Sequence, residues 1–560
     1  MDKKKVVAGI FAVLWAAIVY GLYYVLLPAF NVHSIGLWFF VIIGVLVPAE
    51  ILIFLHRVLF AERGIKGSLR EKGKPGLPGI IIWAIAGLLL IIGLLEFSGS
   101  PLFHAKRYAS ILKVEEYNFT DDIVPADSLS QIALMDTNSA VLLGDREIGT
   151  LSEVVSQFNL SREYAQIDLN GVPVKVSALD YAGFFKYMGN KKSGVPGYVK
   201  VDPVGQKAEY IKLSEGMNYV PSAFFGKDLR RHIRRNFPTK IFGNIHFEID
   251  EEGNPFYIAS VYEYTISLFG GETVCGVIVC DPVSGECNYY DAADIPQWVD
   301  NAFDGNLLAE QYNWYGKYDN GFWNSVFAKK GCKKCTETTV AYSAEGDEDE
   351  ESYTPDFGYV AKDGDIWIYT GVTSVNDDAS NIGFILVNER TSEAHYFGIA
   401  GADENSAMAA AEGEVQEKSY RASFPSLINV DGEPTYVMVL KDASGIVKLY
   451  AMVNVKSYNI VTTAVNLDDC FRQYRTKLGI EVEEKTEEEP EERRPVEFTI
   501  AEIRYIDVEG NTWVYMTSAE GVIYKQPFAE NEKLLLVKEG EVLKGFAREE
   551  KDGIFRFYSE

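Results

Sequence analysis

The chain has 560 residues, 47% apolar and 24% charged, with 33 Tyr and 32 Phe. These proportions exclude wholesale disorder and collagen-like repeats, leave room for about three to four domains, and lean toward strands. A formal net charge of −27 argues against a general nucleic-acid binder, because neutralising phosphates needs a surplus of Lys and Arg.

The charge is unevenly spread. Residues 1–97 carry nine Lys and Arg against five Asp and Glu, a net of +4, so the remaining 463 residues carry −31. The same stretch holds three apolar runs, Val6 to Leu27, Ile35 to Leu55 and Ile80 to Leu95. At a helical rise of about 1.5 Å per residue, the first two span a hydrocarbon core of roughly 30 Å and the third just reaches. The chain therefore opens with a three-helix membrane anchor over 1–98. Lys3, Lys4 and Lys5 precede the first run, the loop 28–34 has no Lys or Arg, and the next loop holds Arg57, Arg63, Lys66, Arg70, Lys72 and Lys74. The positive-inside rule places the N-terminus and that second loop in the cytoplasm, with everything after about Gly99 outside. Lys106, Arg107 and Lys113 argue mildly the other way, although large domains translocate largely regardless of charge. No small-x-small cleavage site follows the first run, so all three helices are expected to be retained. Glu50 falls inside the second run, two residues after Pro48. Such an acid is either a functional group or one hydrated near the interface or a kink. The first reading would fit an accessory subunit of a transporter.

After a first α+β region over 99–220, the body repeats a strand–turn–strand unit. Gly197 to Asp202 with Tyr210, Gly276 to Asp281 with Tyr289, and Gly383 to Asn388 with Tyr396 align without gaps. Each is a β-favouring strand closed by Asp or Asn, a short polar turn, and a returning strand that carries the Tyr. Upstream, Glu252-Gly253, Asp363-Gly364 and Asp431-Gly432 each place a turn before an aromatic strand. Helices are expected at Lys227 to Phe237, with Leu229, Ile233 and Phe237 on one face, and at Ser406 to Gln416. The segments Gly276 to Tyr290 and Asp431 to Val453 resemble PepSY-like domains, small extracytoplasmic α+β modules. The resemblance implies one unit over 221–355, which includes a long cysteine-containing insertion, and a second over 356–480. It implies an envelope location and a binding or regulatory role. Asn388 to Ser392 departs from the family turn by lacking its Gly, and the connection from Ala292 to Asp356 is longer than such a module needs. Glu345 to Glu351 reads as a solvated acidic loop without the alternating ligands of a calcium site. Residues 481–495 read as an acidic linker.

Residues 496–560 read as a small β-barrel of OB or SH3-like type, with strands at Phe498 to Ile506, Thr512 to Met516, Val522 to Tyr524, Leu534 to Val537 and Ile554 to Tyr558. No aromatic-plus-basic face marks it as a nucleic-acid binder.

Catalytic motifs are absent from the sequence. The six histidines make no HxxxH or HExxH spacing, and there is no nucleophile elbow, dinucleotide fingerprint or phosphate loop. Catalytic residues, metal ligands and cofactors are therefore left unassigned. The CxxC at Cys332 and Cys335 lies among lysines that would stabilise thiolates. With Cys280 and Cys287 it could form disulfides, remain as thiols, or assemble a zinc or redox site. Cys275 and Cys280, five apart on one strand, are expected on opposite faces. The strongest electrostatic anomaly is the helix bearing Lys227, Arg230, Arg231, Arg234 and Arg235, whose i, i+4 pairs predict one guanidinium stripe. It either recognises an anionic envelope polymer, a lipid headgroup or an acidic partner, or it answers the chain's own acid. The sequence thus points to a membrane-anchored extracytoplasmic binding, scaffold or regulatory protein. A thiol-redox or metal-dependent envelope enzyme using Cys332 and Cys335 is the alternative.

Overall fold

The computed structural model describes residues 3–60, 77–123, 135, 137–203, 205–336, 357–376, 380–480, 494–508, 511–528, 534, 537–549 and 554–559. The acidic loop at 345–351, residues 481–493 of the linker and the basic positions from Arg63 to Lys74 lie outside the described residues. The chain folds as two compact units, Met1–Leu478 and Gly479–Glu560.

Among the described residues, three helices are long and apolar enough to cross a bilayer. They are Lys3–Leu26 (α1), Ile35–Phe60 (α2), and Ile80–Gly99 within Leu77–Gly99 (α3). In α2 the turns widen to a π-helix over Phe40–Leu46, directly before Pro48. Proline offers no N–H to the carbonyl four residues back, and a wider turn lets the helix continue past its ring. Trp15 of α1 donates its indole N–H to Val45 O in that stretch, at 3.0 Å.

The body follows through Pro101–Ala109 (α4) and Thr137–Gly149 (α5). It is built from four successive antiparallel meanders of four strands, with shorter edge pieces attached to three of them. The first comprises Ala165–Leu169, Val172–Tyr181, Val195–Asp202 and Lys207–Met217. The second comprises Ile241–Ile249, Pro255–Ile266, Gly270–Cys280 and Cys287–Asp291. The third comprises Gly358–Lys362, Asp365–Ser374, Gly383–Asn388 and Ala394–Phe397. The fourth comprises Ser426–Val430, Glu433–Lys441, Val447–Asn454 and Val461–Ala464. Residues 356–480 therefore hold two such sheets.

Local chemistry explains the repetition. Every first hairpin turns on a glycine in the left-handed region, Gly171, Gly253, Gly364 and Gly432, with φ between +78° and +89°, where a Cβ would be strained. Every last hairpin, between the third and fourth strands, is closed by an Asx side chain that accepts from the backbone two or three residues on. Asp202 takes Gly205 N, Asp281 takes Val283 N, Asn388 takes Arg390 N and Asn454 takes Ser457 N, all at 2.8–2.9 Å. The Gly–Tyr spacing also has a contact behind it. A Cβ on Gly197, Gly276 or Gly383 would fall within 3.0 Å of the ring of Tyr210, Tyr289 or Tyr396. Tyr289 and Tyr396 then donate to the carbonyl just before their glycine, Cys275 O and Ile382 O, each at 3.2 Å.

The apolar faces of these sheets are buried chiefly against the neighbouring sheet. Val176 and Val199 of the first meet Phe247 and Ile278 of the second. Ile258 and Val277 of the second meet Ile368 and Ile385 of the third. Phe384 and Leu386 of the third meet Tyr436 and Met438 of the fourth. Successive four-stranded meanders stacked face to face pack as blades do in radially repeated β folds. Gln206 Nε2 donates to Tyr450 OH at 2.7 Å and joins the first sheet to the fourth. Helices fill the margins: Phe184–Asn190 (α6), Leu229–Asn236 (α7), Gly305–Tyr318 (α8), Glu404–Gly413 (α9) and Leu467–Lys477 (α10). Thus α9 puts Ala407 and Ala411 into the core between the third and fourth sheets, and α10 covers the outer face of the fourth with Cys470 and Tyr474.

The second unit contains a closed five-stranded barrel with strands Arg494–Val508, Asn511–Ser518, Ile523–Pro527, Val542–Glu549 and Ile554–Ser559. Around the barrel the fifth strand sits between the third and fourth, and it pairs in parallel with the third. Two expectations need correcting. Arg494 and Pro495 open the first strand and are not linker. The fourth strand is Val542–Glu549, whereas Leu534 is a single core side chain, 1% exposed. Gly545 hid that strand, because it breaks the apolar alternation exactly where a Cβ would strike Tyr558 O at 2.3 Å.

Candidate functional site

The basic helix α7 begins with Asp228, whose Oδ1 accepts from Arg231 N at 2.8 Å. It is held down by Leu229 and Ile233, both fully buried. Its guanidinium groups do not form the expected single stripe. Arg234 is 4% exposed and turned inward. Its Nε donates to Leu27 O at 3.0 Å, just past the end of α1, and its Nη1 donates to Lys240 O at 2.6 Å and Phe237 O at 3.2 Å. The guanidinium also lies 4.2 Å from the Phe242 ring centroid. A cation there complements the negative end of the α1 dipole. Arg231 is half-buried, 4.1 Å over the Tyr24 ring of α1, and donates to Phe225 O at 2.6 Å. Lys227 Nζ stands 3.8 Å from the Tyr219 ring. Only Arg230 and Arg235 remain exposed.

Other contacts seat the body on the same ends of the anchor helices. Phe30 N donates to Pro238 O at 2.8 Å, His33 Nδ1 meets Leu268 O at 2.9 Å, and Ser267 Oγ donates to Leu95 O at 2.7 Å. Beside α7 lies an exposed aromatic cluster. Phe184 and Phe185 of α6 are 40% and 86% exposed, and Phe225 is 56% exposed. Phe184 packs its ring edge against Phe224 and Phe225.

The cysteines separate into different environments. Cys280 and Cys287 face each other across the last two strands of the second sheet and form a disulfide. Cys275, Cys332, Cys335 and Cys470 are thiols. The zinc arrangement is not assembled: Cys332 lies against Lys317 O and Asn324, and Cys335 against Ala309 O of α8. Nor is Cys332 a stabilised thiolate. Burial pushes its thiol above the ordinary range, and Lys317 and Lys329 offset only part of that. Cys275 and Cys280 share the core between the first and second sheets, because a bulge opposite Val261 and Tyr262 reverses the strand's alternation. The thiol count is directly testable. Alkylation of the denatured chain should modify four cysteines without reductant and six after reduction, read by intact mass.

Glu50 sits in α2 with its Oε2 buried and without a hydrogen-bond partner. No other intramembrane acid was expected, and Arg57 follows two turns later on the same helix.

One site had no sequence signal. Where the first three sheets meet, a cavity of about 330 Å³ is lined by Arg162, Tyr164, Gln166, His246, Asp304, Tyr359 and Glu389, among others. Behind it lies a buried acidic network. Glu248, fully buried, accepts from Asp300 N, Asn301 N and Asn301 Nδ2 at 2.8–3.1 Å and contacts His246 Nε2 at 2.9 Å. Asp300 Oδ2 accepts from Asp168 N at 2.6 Å. Arg390 grips Asp365 with two bonds, at 2.7 and 2.6 Å. Burial, with Glu248 beside it, holds the Asp300 carboxyl well above the usual carboxylate range. Burial, with Asp304 and Glu248 nearby, does the same to Glu389.

No family model matches the chain, and no curated protein matches it. Among solved structures it is similar to an ancestral GH74 enzyme (10% identity over 66% of this chain and 42% of that one, TM-score 0.17). It is also similar to the Bombyx mori GH32 β-fructofuranosidase (8% identity, 67% and 61% covered, TM-score 0.17) and to B. megaterium levansucrase (8% identity, 70% and 81% covered, TM-score 0.14). The chain thus spans 42% and 61% of the first two, and TM-scores this low carry no argument about fold or activity.

Proposed function

We propose that this is a membrane-anchored extracytoplasmic binding protein whose body is fixed on the outer surface of the bilayer and acts there in a scaffold or regulatory role. The observation that carries it is the clamp of Arg234 on Leu27 O. A tether needs no such bond, whereas a body that must present its surfaces at a set height and angle does. Positive-inside charge supports the outward orientation, and the disulfide between Cys280 and Cys287 suits an oxidising compartment. The PepSY-like resemblance of Gly276 to Tyr290 and Asp431 to Val453 supports the same role, as does an OB-like strand order in the barrel. Arg230 and Arg235, with Phe184, Phe185 and Phe225 beside them, suit the headgroup layer, where aromatic rings and cations settle together. An anionic envelope polymer would suit the same two guanidinium groups.

Membrane-impermeant maleimide applied to intact cells tests the orientation. In a Cys275→Ser background, Lys207→Cys should label without permeabilisation, while Lys4→Cys should label only after it. The reverse pattern would overturn the reading.

A further inference from the structure

Buried polar atoms normally find partners, and those that do not mark places where something else completes the bonding. Three such atoms belong to residues lining the cavity between the first three sheets: Tyr164 OH, Gln166 Oε1 and Glu389 Oε2. Gln166 and Glu389 are each only 2% exposed, so bulk water does not stand in for the missing donors. We propose that this cavity binds a small organic cation through a primary ammonium group, with Gln166 Oε1 and Glu389 Oε2 accepting its N–H donors.

The donor inventory selects the group. Two of the unmet atoms are acceptors, and an ammonium supplies three donors and no acceptor. Charge selects it again. Glu163 and Asp304 line the same space, with Glu248 behind, against Arg162 and the buried Lys175. An ammonium on this wall has a precedent within the chain, since Lys175 Nζ already sits 5.4 Å from the Tyr359 ring centroid. A neutral polyol would meet the acceptors and leave the charge uncompensated. Among the described residues no three His, Cys, Asp or Glu are placed to hold a metal ion, which disfavours a bare cation. The volume of about 330 Å³ suits a ligand of modest size.

Binding has a further consequence. The Glu389 carboxyl faces Asp304 at the start of α8, Glu248 of the second sheet and Lys175 of the first, and burial holds it well above the usual carboxylate range. An arriving ammonium favours the carboxylate and brings it down again, so binding at a pH between the two should release a proton to solvent.

The inference goes beyond the proposed function and does not depend on orientation, because the test uses the purified full-length chain in detergent. Isothermal titration with putrescine and glucosamine should give saturable binding, at least about tenfold tighter than with 1,4-butanediol and glucose, their neutral counterparts. Glu389→Gln and Gln166→Leu should each weaken putrescine about tenfold; Glu389→Gln should leave the unfolding midpoint near that of the wild type, whereas Gln166→Leu should lower it, because it also loses the bond from Gln166 Nε2 to Val174 O. Buffers of different ionisation heat should reveal proton release in the wild type and none in Glu389→Gln. The proposal fails if neither amine binds, if the neutral counterparts bind equally well, if calcium chloride alone binds, or if both variants retain full affinity.

Discussion

Replacing Arg234 by Met should destabilise the first unit by about 3–5 kcal/mol, more than the same change at Lys227, Arg230, Arg231 or Arg235. The substitution keeps an unbranched stem against Phe242 and removes the donors to Leu27 O, Phe237 O and Lys240 O. The Leu27 carbonyl left buried without a partner costs about 1–3 kcal/mol, the half-buried carbonyls of Phe237 and Lys240 add to it, and together they outweigh any gain from not burying a charge. Burial, with Arg230 nearby, lowers the guanidinium to about 10, so it remains charged at neutral pH. Arg234→Lys keeps the charge but cannot reproduce a planar fork aimed at three acceptors, and should recover no more than about half of the loss. Denaturant unfolding in detergent measures the cost. Hydrogen exchange at Leu27 to Asn31 shows whether it arises at the joint: protection there should fall in Arg234→Met and persist in Arg230→Met. Equal stability of the two variants would show that the contact with α1 is incidental.

What the sequence made legible is what is encoded locally. The three apolar runs needed only length and composition, and the Gly–Tyr repeat was visible because hairpin partners lie close in the chain. The alignment at Gly197, Gly276 and Gly383 tracks a ring lying over each glycine. The stacking of four sheets was not legible, because period-2 alternation says that a face is buried without saying against what. Arg234 follows Ile233 directly and reads as part of a polar stripe. Only the arrival of Leu27 O, 207 residues away in the chain, turns it inward. The cavity was harder still. Glu389 follows the Asx turn of Asn388 and reads as an ordinary turn acid, while Glu248, Asp300 and Gln166 come from separate stretches without a motif spacing. The lysines around the CxxC misled for the opposite reason. Charge near a thiol is visible in sequence, and the burial that outweighs it is not.

The second large effect should come from Glu404, in the first turn of α9 and fully buried between the third and fourth sheets. Its Oε2 accepts from Thr336 Oγ1 at 3.0 Å and Asn381 Nδ2 at 3.5 Å, while Oε1 has no partner. Burial raises the carboxyl from 4.5 to about 7, with these hydrogen bonds holding it from going higher. Between those two values the folded state keeps a proton that the unfolded chain has lost. Stability therefore falls as pH rises through that window, by about 1.4 kcal/mol per unit and about 3 kcal/mol in all. Below pH 4 both states are protonated and the penalty vanishes. Glu404→Gln removes the titration, since its Oε1 can still accept from Thr336, at a cost of about 1 kcal/mol for the new N–H donors. The variant should be more stable than the wild type by about 2 kcal/mol at pH 8 and no more stable at pH 4.5. Asp300 and Glu389 are raised in the same direction, so the variant should keep part of the wild type's preference for mild acid. The difference between the two stability curves isolates Glu404. A difference that does not change with pH would mean that folding does not shift the titration of this carboxyl.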